Sequence, residues 1–498
     1  MEITTHLSRV LVRDRDVLKR KRPVELGFVD FRTIEARKAA CDAEVTLNRR
    51  LAPDVYYGVL PVVEDGELVD WAVHMRRLPQ EARADDLLAR GAFGFAELDL
   101  VATTLADFHA AARTDAEVAR FGSVESVRFN VEENFAQTAT TIGDYLLASE
   151  ARELVAWQRE ILRERAPLIA GRAACGHVRD GHGDLRLEHV YFEADKTRPT
   201  IIDCIEFADR FRFADVCADV AFLSMDLAAH GRADLAEHFL ARYARASNDF
   251  DLYELVDFYE SYRATVRGKV AAILARDPNA PDETRAEAAR EARRSFALAL
   301  AADRRSLLRP SVVAIGGLIA SGKSTTAEVV ARETSAPIID ADRTRKSMLG
   351  KAPTERIDDA AWSGAYDPKL TESVYQEVLR RADAVLRSGR PVVIDASFRS
   401  PAMRAAARAL ARKHGVPFHF VECRAPRDVC RARLARRATE THVSDGRLAI
   451  FDAFASKWEP PREISPDELV VLDTTRSEIE QLAILRASID VWPLGLAG

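Results

Sequence analysis

Residues 317–324 read GLIASGKS, and this motif indicates how the C-terminal part of the chain folds. It matches the pattern G-x-x-x-x-G-K-[ST], follows the apolar segment SVVAIG and precedes the helical segment STTAEVVARE. In this context backbone N–H groups wrap phosphate groups, and the helix N-terminus adds partial positive charge. The predicted phosphate-binding loop comprises Gly317, Leu318, Ile319, Ala320, Ser321, Gly322, Lys323, Ser324 and Thr325.

Two side chains of this loop and one aspartate beyond it have defined roles. Lys323 would reach the β and γ phosphates of ATP, and Ser324 would offer its hydroxyl to Mg²⁺. The segment RPVVIDASF ends a buried strand at Asp395, which can bind Mg²⁺ through water or orient Ser324. The alternative for Asp395 is a simple turn-forming aspartate.

The segment IIDADRTRKSMLG, residues 338–350, predicts where an acceptor binds. It places Asp342 just after a strand, at the carboxyl edge of the sheet, where ligands of such folds bind. There Asp342 could accept the proton of an attacking hydroxyl, and Arg345 could hold an anionic or polar part of the acceptor. The alternative is that Asp342 caps a helix and that Arg345 is solvated.

A basic stretch, CRAPRDVCRARLARR, follows at residues 423–437 and contains six arginines. A solvated basic face explains most of them. Arg433 and Arg437, one helical turn apart, could nevertheless close over the transferring phosphoryl group as a lid.

Residues 312–490 alternate apolar strands with helices, which predicts an α/β domain with a parallel sheet covered on both faces. The segment RRSLLRPS at 304–311 leads from the last helix of the preceding region into the first of these strands. A chain of 498 residues also exceeds the roughly 250 to 300 residues of a single core. We therefore predict two domains, 1–306 and 311–498.

From about residue 312 to 475 the sequence resembles the small P-loop kinases that include polynucleotide 5′-hydroxyl kinase, zeta toxin and chloramphenicol phosphotransferase. The motif GLIASGKS, the Asp-x-x-Arg of Asp342 and Arg345, and an arginine-bearing lid carry this resemblance. It implies ATP-dependent transfer to a hydroxyl with Asp342 as the base. The acceptor varies too widely within the group to be carried over.

The first hundred residues predict a small lobe of sheet plus one helix. Residues 5–12 and 17–24 form a hairpin around the turn RDRD, residues 33–51 form a helix, and a second strand pair flanks Asp65 and Gly66. Helices dominate from about 95 to 170 and from 215 to 306. Between them lie the loop GHGDLRLEH, residues 181–189, and the segment IIDCIEF.

Four residues of this region occur in the order of the corresponding groups in protein kinases. Lys19 would hold the α and β phosphates, and Glu44 would fix Lys19. Asp184 would orient or deprotonate the acceptor hydroxyl, and Asp203 would bind the metal. Lys21 is an alternative to Lys19 because both lie on the same strand face.

Residues 1–306 resemble the aminoglycoside-phosphotransferase-like kinases through HGDLRLEH, IIDCIEF and DVCADVAFLSMDL. The resemblance implies a protein-kinase-like, bilobal α+β fold. No glycine-rich loop precedes Lys19, so the hairpin at residues 13–16 would cover the phosphates. His189 also stands where such loops carry a metal-binding asparagine. Because imidazole suits softer metals than Mg²⁺, the site would accept Mn²⁺ as well, with Glu206 as a further oxygen ligand.

Composition excludes several classes of protein. The net charge of −6 and the lack of an aromatic-plus-basic pattern argue against nucleic acid as a partner. No apolar run approaches the ~18 residues of a membrane span, the N-terminus has no signal-like pattern, and the six cysteines form no C-x-x-C pair. We expect a cytoplasmic, ATP-dependent kinase with two sites acting on small-molecule hydroxyls. The alternatives are an ATP-binding regulator with a non-catalytic N-terminal domain and a nucleic-acid 5′-hydroxyl kinase, and the oligomeric state is left open.

Overall fold

The computed structural model describes residues 1–5, 7–26, 29–194, 197–301, 308–437 and 443–492. The chain forms two compact units, of which the first comprises Met1–Phe239 and Leu255–Asp303 and the second comprises Leu240–Glu254 and Arg304–Gly498. Residues 304–307 of the predicted connecting segment 304–311, and both predicted domain ends at 306 and 498, lie outside the described residues. Segment 240–254 belongs to the second unit, although its sequence pattern does not distinguish it from the helices around it.

The first unit begins with a five-stranded antiparallel sheet in the order β1-β2-β3-β7-β6. Helix α1 packs on it through Cys41 and Val45, and Thr33 caps the N-terminus of this helix by accepting a hydrogen bond from the Ala36 N–H. The predicted lobe of sheet plus one helix is confirmed. The elements are β1 (Glu2–Thr4), β2 (Ser8–Val12), β3 (Asp16–Lys21), β4 (Glu25–Leu26), β5 (Val29–Asp30), α1 (Ile34–Asn48), β6 (Tyr56–Glu64) and β7 (Glu67–Arg76).

The rest of the first unit is mainly helical, as predicted for the second lobe of a bilobal α+β fold. Two short antiparallel ladders, β9 with β10 and β8 with β11, flank the loop at 181–189. The strands are β8 (Val178–Asp180), β9 (Val190–Tyr191), β10 (Thr200–Ile201) and β11 (Phe213–Asp215). The helices are α2 (Ala84–Ala89), α3 (Phe95–Ala111), α4 (Ala116–Ala119), α5 (Val124–Thr138), α6 (Ala148–Glu164), α7 (Ala166–Ala174), α8 (Asp209–Arg212), α9 (Val216–Ala229), α10 (Ala233–Ser247), α11 (Val256–Ala275) and α12 (Asp282–Leu300). Helix α10 continues into the second unit.

The second unit contains a five-stranded sheet in the order β13-β14-β12-β15-β16, and every pair of neighbouring strands is parallel. This confirms the predicted α/β domain with a parallel sheet. Its strands are β12 (Val312–Gly317), β13 (Ile338–Asp340), β14 (Val392–Asp395), β15 (Phe418–Arg424) and β16 (Leu469–Asp473). Its helices are α13 (Lys323–Thr334), α14 (Ala341–Met348), α15 (Pro368–Arg387), α16 (Pro401–His414), α17 (Arg427–Arg437), α18 (Leu448–Ala455) and α19 (Glu478–Ser488).

The core of the second unit fixes which ends of the strands meet. Every residue of β12 is buried, and Val313 and Ile315 pack with Val330 of α13. In the parallel register Ile315 lies beside Asp395, and Asp340 lies beside Asp395 on the other side. The carboxyl ends of three strands therefore place two aspartates next to the start of the predicted phosphate-binding loop.

No described helix combines the length and the apolar character that crossing a lipid bilayer requires.

Candidate functional site

The loop at 317–324 has a backbone that only glycine accommodates at two positions. Gly317 has φ +146° and Gly322 has φ +102°, both in the left-handed region. A Cβ atom at Gly317 would lie 2.5 Å from the Cys423 carbonyl oxygen, and one at Gly322 would lie 2.9 Å from Thr474 Cβ. Conformation and space together explain the two glycines, and helix α13 starts at the next residue with its N–H groups directed at the loop.

The lysine and the serine of the loop take positions suited to phosphate and metal chemistry. Lys323 Nζ donates a hydrogen bond to the Leu318 carbonyl oxygen at 2.9 Å, so its charge lies over the loop. The Ser324 hydroxyl acts on the Asp395 carboxylate and lowers its pKa. Burial, together with the charge of Asp340, raises the pKa of Asp395 to about 7 although Lys323 and Ser324 lower it. A cation bound here would offset the repulsion between the Asp340 and Asp395 carboxylates. The side-chain oxygens of Ser324 and Asp395 are ligands of the type that Mg²⁺ prefers.

A cavity of about 430 Å³ opens at this loop, and all of its lining belongs to the second unit. The lining includes most of the residues predicted for the C-terminal site, which are Ile319, Ala320, Gly322, Lys323, Ser324, Asp342, Arg345, Asp395 and Arg437. Arg433 supports the loop, because its guanidinium donates to the Ala320 carbonyl and to Thr474. The cavity is therefore bounded by the predicted phosphate-binding loop on one side and by the Asp342–Arg345 pair on another.

The Asp342–Arg345 pair is built as an interacting unit. Arg345 Nη1 donates to Asp342 Oδ1 at 3.0 Å, and its guanidinium lies 5.2 Å from the ring centre of Tyr366. Arg345 is only 6% exposed, so the alternative of a solvated arginine is wrong. The alternative that Asp342 caps the helix is also wrong, because the N-cap of α14 is Asp340, which accepts a hydrogen bond from the Arg343 N–H at 2.7 Å.

Several residues of this cavity were not predicted from the sequence. Asp340 could have been found, because it ends a buried strand two positions before Asp342. Burial and the charge of Asp342 raise the pKa of Asp340. Arg242 and Arg245 also line the cavity, and they lie about eighty positions upstream of the loop, where no local motif marks them.

The N-terminal site is organised around two lysines of strand β3. Lys19 Nζ lies 3.0 Å from Glu44 Oε1 and 2.7 Å from Asp203 Oδ1. Burial opposes the charge of Lys19, but Asp203 and Glu44 outweigh it and raise the pKa of this lysine well above its usual value. Lys21 Nζ lies 2.6 Å from Glu44 Oε2 and also contacts Glu206. Glu206, predicted as a metal ligand, is instead an ion-pair partner of Lys21.

Asp203 and His189 come together beside Lys19. Asp203 has φ +66°, a conformation uncommon for residues other than glycine and concentrated at functional sites. His189 Nδ1 donates to the Asp184 carbonyl oxygen at 2.7 Å, which leaves Nε2 3.6 Å from Asp203 Oδ2. Within the described chain no cluster of three or more His, Cys, Asp or Glu residues could hold a metal ion. A metal here would thus have one nitrogen and one oxygen from the protein and would need phosphate or water for its other ligands.

Asp184 is held by ion pairing and by its neighbours in the loop. Arg186 donates to both carboxylate oxygens of Asp184 at 3.1 Å. Burial would raise the pKa of Asp184, but the charge of Arg186 outweighs it and holds this pKa well below its usual range. The Asp219 carboxylate accepts hydrogen bonds from the N–H groups of His182 and Gly183 at 2.6 and 2.8 Å, so it braces the loop that carries Asp184.

Comparison with known proteins identifies relatives along almost the whole chain. The uncharacterized protein Rv2004c of Mycobacterium tuberculosis (strain ATCC 25618 / H37Rv) is 34% identical over 465 residues, which is 92% of this chain and 91% of the relative. The uncharacterized protein Mb2027c of Mycobacterium bovis (strain ATCC BAA-935 / AF2122/97) matches to the same extent. A sequence family described as an AAA domain matches residues 312–461, which contain the loop and the three aspartates that line the cavity.

Solved structures resemble parts of the chain. The GDP complex of aminoglycoside 2′-phosphotransferase-IIIa is 16% identical, covers 59% of this chain and 91% of its own, and has a TM-score of 0.39. A sugar kinase from Janibacter sp. HTCC2649 is 21% identical, covers 37% of this chain and 96% of its own, and has a TM-score of 0.29.

Proposed function

Because the chain belongs to the same family as the uncharacterized mycobacterial proteins, whose names assign no activity, we propose its function from its own two sites. The protein is an ATP-dependent kinase that transfers the γ-phosphoryl group to a hydroxyl of a small molecule such as a sugar or an amino sugar. Each compact unit provides one site. A cytoplasmic location agrees with the need for ATP and with six cysteines that are all free thiols.

The observation that carries this proposal is the grouping of Lys323, Asp342 and Asp395 around one cavity. Lys323 and the loop backbone bind the β and γ phosphates, and Asp342 accepts the proton of the acceptor hydroxyl. Mg²⁺ held by Ser324 and Asp395 would supply charge neutralisation of the phosphates. Arg437, which lines the same cavity, stabilises the charge of the transferring group. A volume of about 430 Å³ is in the range of small-molecule sites.

In the N-terminal unit, Lys19 binds nucleotide phosphates and Glu44 positions Lys19. Asp203 and His189 would hold the metal, and a mixed nitrogen and oxygen pair would accept both Mg²⁺ and Mn²⁺. Asp184 orients the acceptor hydroxyl. Support comes from the ion pairs of Lys19 on strand β3 with Glu44 of helix α1 and with Asp203, and from His189 of the loop at 181–189, which lies beside Asp203.

One observation favours the regulator as a second candidate. The two-point contact of Arg186 with Asp184 stabilises the carboxylate and makes it a weak proton acceptor. An N-terminal unit that binds nucleotide without turnover would retain Lys19 and Asp203 and would not need a basic Asp184. The two candidates differ in whether Asp184 matters for turnover.

The test is ATP consumption by the full chain against a panel of sugars, amino sugars, nucleosides and 5′-hydroxyl oligonucleotides. We expect turnover with small hydroxyl compounds, and we expect Lys323→Ala and Asp184→Asn to abolish separate activities. Activity that depends on Lys323 alone, with a second nucleotide still bound per chain in calorimetry, would favour the regulator. Turnover confined to oligonucleotides and falling steeply with salt would replace the small-molecule proposal.

A further inference from the structure

Helix α10 brings two arginines into the wall of the P-loop cavity. Arg242 and Arg245 lie one helical turn apart in segment 240–254, and both line the cavity that contains Lys323 and Asp342. The segment is fixed within its own unit, because Asn248 donates to Ser347 Oγ at 3.0 Å and accepts from Arg381 at 2.7 Å. The second unit therefore needs this upstream segment to complete its cavity.

Arg242, Arg245 and Arg343 form a group that we term the arginine cluster. Arg242 Nη1 lies 2.6 Å from Glu328 Oε2, and Arg245 contacts the other oxygen of Glu328. Arg245 Nη2 and Arg343 Nε each lie 3.7 Å from Asp340 Oδ2. The guanidinium groups thus converge on the edge of the cavity next to the strand that ends at Asp340.

The arginine cluster has donor capacity that the described part of the chain does not use. The Nε atoms of Arg245 and Arg343 are buried and have no hydrogen-bond partner among the described residues. Burial and the nearby charge of Arg245 lower the pKa of Arg343, which indicates that the cations are crowded. Buried donors normally have partners, and a guanidinium binds carboxylate or phosphate oxygens through paired hydrogen bonds. The crowding of three guanidinium groups on the cavity wall favours an anion beside them, and the two enclosed Nε atoms would reach it after a small shift of their side chains.

We propose that the arginine cluster is an anion subsite and that the acceptor of the P-loop site carries a phosphate monoester in addition to its hydroxyl. This inference rests on the proposed kinase function of that site. In the reaction, the hydroxyl oxygen forms a bond to the γ-phosphorus and the bond to the β-phosphate oxygen breaks. The hydroxyl proton goes to Asp342, and ADP leaves. The acceptor is then the product of an earlier phosphorylation, a reaction of the class proposed for the N-terminal site.

The first experiment uses inorganic phosphate as the probe, with the full chain saturated with Mg²⁺ and a non-hydrolysable ATP analogue so that the P-loop is filled. Calorimetry compares the wild type with Arg245→Gln and with Arg332→Gln, a matched control at an exposed arginine on the helix that carries Glu328. We expect Arg245→Gln to weaken phosphate binding about tenfold, as expected for the loss of a charge-assisted hydrogen bond, and Arg332→Gln to leave it unchanged.

A second variant, which should strengthen phosphate binding, tests the proposal if Arg245→Gln does not fold. Glu328→Gln removes the carboxylate that competes for Arg242 and Arg245, so phosphate should bind several-fold more tightly. Absence of phosphate binding to the analogue-saturated wild type, equal binding in Arg245→Gln, or unchanged binding in Glu328→Gln would each overturn the anion subsite. Failure of the ATP analogue itself to bind would refute the kinase proposal instead, and the two failures are therefore distinguishable.

The second experiment separates phosphate from other anions with matched acceptors. Turnover is compared for a sugar, its phosphate monoester and its carboxylate analogue. We expect the wild type to prefer the phosphate monoester and Arg245→Gln to lose this preference. Preference for the carboxylate analogue or the uncharged sugar in the wild type would overturn the assignment of the phosphate group.

Discussion

Lys19 Nζ lies 2.7 Å from Asp203 Oδ1, although the two residues are 184 positions apart in the sequence. Glu44 shares its two carboxylate oxygens between Lys19 and Lys21. The two lysines nevertheless differ, because the side chain of Lys19 is 17% exposed and that of Lys21 only 1%. Lys19 can reach a ligand, whereas Lys21 is enclosed with Glu44 and Glu206.

This difference predicts separate effects for the two lysines. Lys21→Met should lower the free energy of unfolding by about 3 to 5 kcal/mol, because Glu206 and Glu44 would be left buried without this cation. Lys19→Met should cost less stability and should abolish nucleotide binding at the N-terminal site. Urea denaturation and calorimetry measure the two effects, and a larger loss of stability in Lys19→Met would contradict the assignment of roles.

The pH dependence of stability should reflect His182. Its Nε2 donates to the Ile202 carbonyl at 2.9 Å, its Nδ1 faces the Asp184 N–H at 3.3 Å, and burial lowers the pKa of His182 to about 4. As the pH falls from about 6.5 to about 4, the unfolded chain binds a proton that the folded chain does not, so the free energy of unfolding decreases by up to about 3 kcal/mol.

His182→Gln should flatten this part of the stability profile, and His230→Gln, at an exposed histidine, should not. The measurement is urea denaturation at several pH values in that window. If the free energy of unfolding falls equally steeply with pH in the wild type and in His182→Gln, another group causes the loss of stability in acid.

The metal preference of the N-terminal site should depend on His189. His189→Asn replaces a nitrogen ligand by an oxygen ligand, so the ratio of turnover with Mn²⁺ to turnover with Mg²⁺ should fall. Asp203→Ala should lose activity with either metal. The assay uses a Lys323→Ala background to silence the other site, and an unchanged ratio would remove His189 from the metal site.

Lys323→Ala should reduce turnover at the P-loop site by at least about a thousandfold, since it removes the charge that offsets the β and γ phosphates. Lys369→Ala, at an exposed lysine of α15, is the matched control and should remain active. Circular dichroism should show that both variants are folded. Comparable turnover in the two variants would exclude the P-loop as a catalytic site.

The sequence predicts best where local geometry dictates the residue. Gly317 and Gly322 are required by the backbone itself, and the parallel sheet follows from apolar strands that alternate with helices. The sequence could not distinguish the role of Lys19 from that of Lys21, because side chains two residues apart on a strand lie on the same face. Only the depth of burial of the two side chains separates them. The same limit applies to Glu206, whose spacing from Asp203 does not reveal that Lys21 is its partner.

Segment 240–254 shows a different limit. Its helical periodicity matches that of the helices before and after it, and its contacts with the second unit join residues about a hundred positions apart. Contacts of that range depend on tertiary packing, for which a single sequence has no local signal. Arg242 and Arg245 could therefore be recognised as cavity residues only in the folded chain.

The path of the chain also sets an order for biosynthesis. A ribosome makes residues 1–239 first, then residues 240–254 of the second unit, then the rest of the first unit, and only afterwards strand β12 and the loop that follows it. The second unit cannot acquire its complete cavity until a segment made earlier docks onto a domain made later. Dividing the gene between the two units would consequently separate the P-loop from Arg242 and Arg245, so the protein is expected to persist as a single polypeptide.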